Sequence, residues 1–204
     1  MTHAFVDLRR VTAGRNLLVL AAVPGDESLY CGELIAQASF GGRPPFVAVL
    51  TDGVGLERPG VGGETDDQLA RRRARETVAA VSTLGVPDEW FALLGLHGGS
   101  LAPGGERFGR IVEALSMILW RRDCNLIAVP WAADTRPDYS AAHALGAALA
   151  ARDEIGCITY RTKFGDAAEP PLRLASGPAT RLKARALSVH ADLPDDFQEG
   201  YYTH

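Results

Sequence analysis

Several carboxylates stand immediately after apolar runs, where an α/β protein builds its sites. Asp26 and Glu27 follow the run 16–23, Asp52 closes the run 46–51, and Asp134 and Asp138 follow the run 125–130. His97 comes just after the run 90–96, and Arg136, Tyr139 and His143 surround Asp138 in the chain. Carboxylates in a cleft can move protons or hold a hard cation through oxygen. Asp26, Asp138 and His143 are the best catalytic candidates on residue type. Without a cation, clustered carboxylates repel one another and gain protons. Such a cleft must therefore offer Arg73, Arg136, backbone donors or a cation. Ser28, Ser140 and Cys31 lie near the same loops, but none has a histidine at a motif spacing, so no activated nucleophile is expected.

The elements that must position these residues are legible from periodicity. Continuous apolar runs at 16–23, 46–51, 90–96, 125–130 and 155–160 read as strands buried on both faces. Helical spacing predicts helices over 27–40, 66–84, 106–120, 139–152 and 179–191, with Asp138 as N-cap of the fourth and His190 inside the last. In 66–84, Ala70, Ala74, Thr77, Val78, Val81 and Leu84 form the expected buried stripe, which Arg73 borders. The neighbouring Arg71, Arg72 and Arg75 read as a solvated face. The glycine-rich stretch 54–63 reads as a loop. Strands alternating with helices imply one α/β domain over 1–204, with a mostly parallel sheet and helices on both faces. Ligand sites of such sheets lie beyond the carboxyl ends of the strands, here the loops 23–27, 52–63, 97–105 and 131–138.

Composition removes several classes. A formal net charge of −4 offers no basic field for nucleic acid or an anionic membrane. The N-terminus has no apolar signal core, and the apolar run 17–23 is too short to span a bilayer. Cys31, Cys124 and Cys157 are odd in number and widely spaced, which fits reduced cysteines in a cytoplasmic protein. No glycine-rich dinucleotide turn follows the first strand, and neither a G-x-S-x-G elbow nor a Walker loop occurs.

Ala22-Val23-Pro24-Gly25-Asp26-Glu27 resembles the A-H-P-D-D-E signature of the PIG-L/LmbE family. The resemblance continues through Thr51-Asp52-Gly53, Arg73-Ala74-Arg75-Glu76, Leu84-Gly85-Val86, Leu94-Gly95-Leu96-His97-Gly98-Gly99, and Arg136-Pro137-Asp138-Tyr139 against H-P-D-H. It implies a Rossmann-like fold and zinc-dependent deacetylation of N-acetylated sugars or related amides. In the family the histidine and second aspartate of H-P-D-D and the last histidine of H-P-D-H hold the metal, and the first aspartate is the base. Three protein ligands leave a zinc position for a water whose pKa the metal lowers. Here those positions carry Val23, Asp26, Tyr139 and Gly25, so Asp26 is the single retained ligand position. Arg136 and Gly98 replace a further histidine and aspartate. His190 lies near a histidine of the family's C-terminal H-x-S-Q stretch, here His190-Ala191-Asp192-Leu193.

The expectation is a degenerate relative that keeps a sugar-like ligand pocket of Glu27, Asp52, Arg73, His97, Arg136, Tyr139 and His190, with no cofactor and no metal. The alternative is an active hydrolase using Asp26, Glu27, Asp138 and His143, metal-free or with zinc or another divalent cation in a rebuilt site. His143 lies one turn after Tyr139 and either hydrogen-bonds at the pocket wall or joins Asp26, Asp134 and Asp138 there. The terminal His3 and His204 are set aside. An oligomer is compatible with the sequence. Asp26→Asn is expected to leave stability unchanged or raise it unless Asp26 has a specific partner.

Overall fold

In a computed structural model of the chain, residues 5–6, 8–55, 63–162, 172–174, 177–193 and 201–203 are described. His3, His204 and positions 56–62 of the expected loop lie outside them. The described residues form one eight-stranded sheet. Its strands are β1 (Phe5–Val6), β2 (Leu17–Ala21), β3 (Phe46–Thr51), β4 (Phe91–Leu96), β5 (Leu126–Pro130), β6 (Gly156–Tyr160), β7 (Leu172–Leu174) and β8 (Tyr201–Thr203), in spatial order β1-β7-β8-β6-β5-β2-β3-β4. The five strands β6-β5-β2-β3-β4 run parallel, as their apolar runs predict. β8 is antiparallel to β6 and β7. The short strands β1, β7 and β8 have no counterpart in the periodicity.

β2 is central and its five residues are all buried. Truncating one, as in Leu18→Ala, costs about 3 kcal/mol in a core of this kind. Because β2 lies between β5 and β3, the connections leave it in opposite senses on its two sides. That arrangement opens a crevice at its carboxyl end.

The helices are α1 (Leu8–Thr12), α2 (Asp26–Leu29), α3 (Gly32–Phe40), α4 (Asp66–Thr83), α5 (Gly105–Arg121), α6 (Pro137–Asp153) and α7 (Pro178–Leu187). α2, α3 and α4 pack with α7, while α5 packs with α6. Right-handed crossovers put these two groups on opposite faces of the sheet. The expected helix 27–40 is broken at Tyr30-Cys31 into α2 and α3. α4 starts with a capping box between Thr65 and Gln68 and two acidic residues in its first turn. Its buried face is Leu69, Arg73, Thr77, Ala80 and Val81, continuing to Leu84. Val78, expected in that stripe, is 45 % exposed. α7 ends at Leu187, so His190 lies beyond the helix rather than inside it. The three cysteines are free, with Cys31 and Cys124 buried. No helix among the described residues is long and apolar enough to cross a membrane.

Candidate functional site

At the carboxyl end of β2 the chain turns at once into α2, with Gly25 in the left-handed region at φ 97°. That turn folds the Asp26 carboxylate back on its own loop. One oxygen accepts from the Val23 backbone N–H at 3.2 Å, and the other accepts from the Tyr139 hydroxyl at 2.9 Å. Tyr139 is on the first turn of α6, and Asp26 and Tyr139 are each 2 % exposed. Burial first, and the adjacent Asp26 charge second, push the Tyr139 pKa well above its usual 10, so the phenol stays a donor. Arg136 lies over the Tyr139 ring, 3.5 Å from its centroid. Its guanidinium donates to Asp134 at 2.9 and 2.6 Å, and Asp134 also accepts from Thr162. Burial works against the Arg136 charge, but the Asp134 bonds outweigh it and raise the pKa.

Glu27, also buried, faces away from Asp26 and towards the C-terminal part of the chain. It accepts from the Gly25 N–H at 2.8 Å and the Ser28 hydroxyl at 2.8 Å, and His190 Nε2 lies 3.1 Å from it. Burial would raise the Glu27 pKa, yet the bonds and charge of His190 lower it overall. His190 Nε2 is also 3.4 Å from Ser28 Oγ, and its Nδ1 is 3.9 Å from Glu76. Ser28 therefore does have a histidine beside it, 162 residues away in the chain, which no motif spacing reveals. Ser28 is wholly buried, with its proton committed to Glu27.

The turn after α7 contributes two further side chains. Asp192 accepts from Arg73 Nε at 2.8 Å and from the second Arg73 nitrogen, and Arg73 also donates to the Gly53 carbonyl. Arg72, expected on a solvated face, is mostly buried among Glu64, Glu76 and Asp192. Leu193 covers Gly25: a Cβ there would lie 3.0 Å from Leu193 Cδ2.

On the other side of β2 the site is open. Asp52 Oδ1 accepts from the Val54 N–H at 2.9 Å, and its other oxygen is 3.5 Å from Nδ1 of the exposed His97. Asp138 is not the N-cap of α6. Arg136 is, and Asp138 sits within the first turn, its carboxylate accepting from the Gly99 N–H at 2.7 Å. Burial and then the Asp52 charge, partly offset by the Gly99 bond, raise the Asp138 pKa above its usual 3.8. Gly98 approaches the Val54 carbonyl so closely that any Cβ would collide with it. His143 donates from Nδ1 to the Pro130 carbonyl at 2.9 Å, at the wall of the crevice. Among the described residues, no three His, Cys, Asp or Glu side chains are grouped to hold a metal ion.

Asp26, Glu27, Asp52, Arg73, His97, Arg136, Asp138, Tyr139 and His190 thus all gather at the carboxyl ends of β2–β5. Asp192 and Leu193 are the members that sequence reasoning missed. Fold and site define an α/β protein whose polar residues converge on the crevice beside its central strand. The family model for GlcNAc-PI de-N-acetylase matches residues 18–150, and the chain belongs to this PIG-L family. Among solved structures it is similar to N,N'-diacetylchitobiose deacetylase from Pyrococcus horikoshii, with a TM-score of 0.71 and 18 % identity over 93 % of this chain and 78 % of that one. The conserved protein TT1542 from Thermus thermophilus aligns with a TM-score of 0.67 and 22 % identity, covering 87 % and 79 %. The A40926 pseudoaglycone deacetylase Dbv21 aligns with a TM-score of 0.67 and 19 % identity, covering 86 % and 81 %. At these identities the likeness establishes the fold. No curated protein matches.

Proposed function

We propose that this PIG-L family member binds a small polyhydroxylated, sugar-like ligand at its carboxyl-edge rim and has lost zinc-dependent deacetylation. The observation that carries this reading is the bond from the Tyr139 hydroxyl to Asp26. The single carboxylate left at a family ligand position is spent on a neutral phenol, itself at a ligand position. The donor set does not fit zinc. Val23 has no lone pair, Tyr139 is held protonated, and a hydrolytic zinc needs three protein ligands. At Gly25 the place of the family's base is covered by Leu193.

The ligand-facing groups are Asp52 and His97, whose carboxylate and imidazole can bond to hydroxyls, with Arg136 at the edge and the buried Asp138 behind them. Glu27, Arg73 and His190, expected in the pocket, serve as its buried support. The protein is proposed to work in the cytoplasm without a cofactor.

An active hydrolase built on Asp26, Glu27, Asp138 and His143 has less support, since each of these is committed to a protein partner. Elemental analysis of protein purified from zinc-supplemented medium should give well under one zinc per chain. Chelator-sensitive deacetylation of N-acetylglucosamine derivatives should be absent, while calorimetry with amino sugars and N-acetyl sugars should detect binding that Asp52→Ala weakens. One bound zinc per chain, lost on chelation together with an amidase activity, would overturn the reading.

A further inference from the structure

The far edge of the sheet carries a second feature, unrelated to the crevice. β4 ends the sheet and among the described residues pairs with β3 alone, so its outer row of backbone donors and acceptors faces outward. Phe91, Ala92, Leu93 and Leu94 contain no charge and no proline, the usual devices that keep an edge strand from pairing. The one irregularity in its pairing with β3 falls later, between Val49 and Thr51, near Gly95. Beside β4 runs an apolar groove whose lining includes Ala74, Val78, Ala79 and Leu93, with Arg75 and Asp88 as its charges. Val78 and Ala79 are exposed there.

The two charges lie at opposite ends of the groove. α4 runs back along β4, so Arg75, about 10 Å along the helix from Ser82, lies towards the carboxyl half of the strand. Asp88 opens the 3₁₀ turn that leads into the amino end of β4. Neither side chain has an ion-pair partner among the described residues. A twofold axis through the middle of β4 reverses the groove end for end. It sets Arg75 of each copy against Asp88 of the other, and Val78 against the facing groove.

We propose that this face is a self-complementary twofold interface for a second copy of the chain. The two β4 strands add antiparallel, extending one sheet through both subunits, and the two α4 helices pack alongside each other. An isologous contact of this kind closes on itself and leaves no β4 edge exposed. The groove alone is smaller than the roughly 800 Å² per partner of a stable interface. The strand edge and α4 face supply the remainder, and a dissociation constant in the micromolar range is expected.

The charges provide the test. By sedimentation equilibrium, wild type should dimerise, and R75D and D88R should each raise the dissociation constant about 10-fold, since every reversal places two like-charge pairs across the axis. The double variant R75D/D88R should return to near wild type, because the swapped pair is again complementary. Both positions are exposed, and unchanged melting temperatures should show that the variants fold. Amide exchange at 91–94 should slow on raising wild-type concentration and should not in the single variants. Wild type that stays monomeric at about 1 mM would overturn the proposal. So would single variants that dimerise like wild type, a double variant no better than the singles, or exchange at 91–94 that ignores concentration.

Discussion

Asp26 and Asp52 stand at the carboxyl ends of adjacent parallel strands, but their surroundings have diverged. Asp26 is sealed under Tyr139, with Arg136 stacked outside. Asp52 meets solvent beside His97, whose side chain is 64 % exposed. One side of the crevice is core and the other is surface. Buried polar groups are stabilising when every partner is present and costly when one is removed. Rim groups exchange protein bonds for water at little cost. Substitutions on the sealed side should therefore register as lost stability, and those on the rim as lost ligand binding.

The largest effect is expected at Asp192. Removing it by Asp192→Ala takes away the carboxylate that Arg73, 2 % exposed, grips with two nitrogens, and should cost about 3–5 kcal/mol in urea unfolding. A loss below about 1 kcal/mol would mean the sealed side is wetter than described. Next, Gly25→Asp should cost about 2–3 kcal/mol, because a side chain at φ 97° is strained and meets Leu193. Adding Leu193→Ala should not return full stability, since the backbone strain remains, but should recover part of it. On the proposed reading, a zinc hydrolase would need a change at Leu193 besides Val23→His, Gly25→Asp and Tyr139→His.

Glu27→Gln should cost about 2 kcal/mol near neutral pH. Because the folded pKa of Glu27 lies below its ordinary 4.5, the carboxylate's contribution is present above that pH and is lost as pH falls through the folded value. The gap between variant and wild type should accordingly shrink below about pH 4.5 in paired acid titrations. Asp138 carries the opposite sign. Its folded pKa is raised, so the folded state holds the proton more tightly than the unfolded chain, and ionisation costs stability as pH rises above 3.8. Asp138→Asn should be neutral or slightly stabilising at pH 7, with the difference vanishing below pH 4. The smallest effect on stability is expected for His97→Ala, within about 0.5 kcal/mol by thermal melting. If His97→Ala leaves sugar binding untouched as well, the rim is not the ligand face.

Much of this was legible in the chain. Five apolar runs bounded by turn residues placed the parallel strands, and the loops at their ends placed the carboxylates. What escaped was decided by distant partners. Helical spacing continues through Tyr30 and Cys31, and nothing local announces the break between α2 and α3. Asp138 reads as an N-cap from its neighbours, but the Gly99 N–H claims its carboxylate. Asp26 was expected to tolerate neutralisation unless a partner was close, and two partners are there, Tyr139 and the Val23 N–H. Asn keeps only one accepting oxygen, so Asp26→Asn is now expected to destabilise by about 1–2 kcal/mol. Ser28 and His190, or Arg73 and Asp192, are separated by more than a hundred residues, and no periodicity encodes their meeting.

The turn carrying His190, Asp192 and Leu193 also sets an order of events during synthesis. A chain emerging from the ribosome can complete β2 through β6 and dock its helices long before residue 193 is made. Until then Arg73 lacks Asp192 and Glu27 lacks His190, and α2 and α4 are bridged by nothing from the C-terminal turn. Contacts of such sequence separation form late because their loop-closure entropy must be overcome first. A chain halted at about residue 187 would carry the parallel strands β2 to β6 but expose an arginine and a glutamate in an open groove. It would be a soft intermediate for proteases, and protection of this groove would arrive only once the turn at 190–193 has docked.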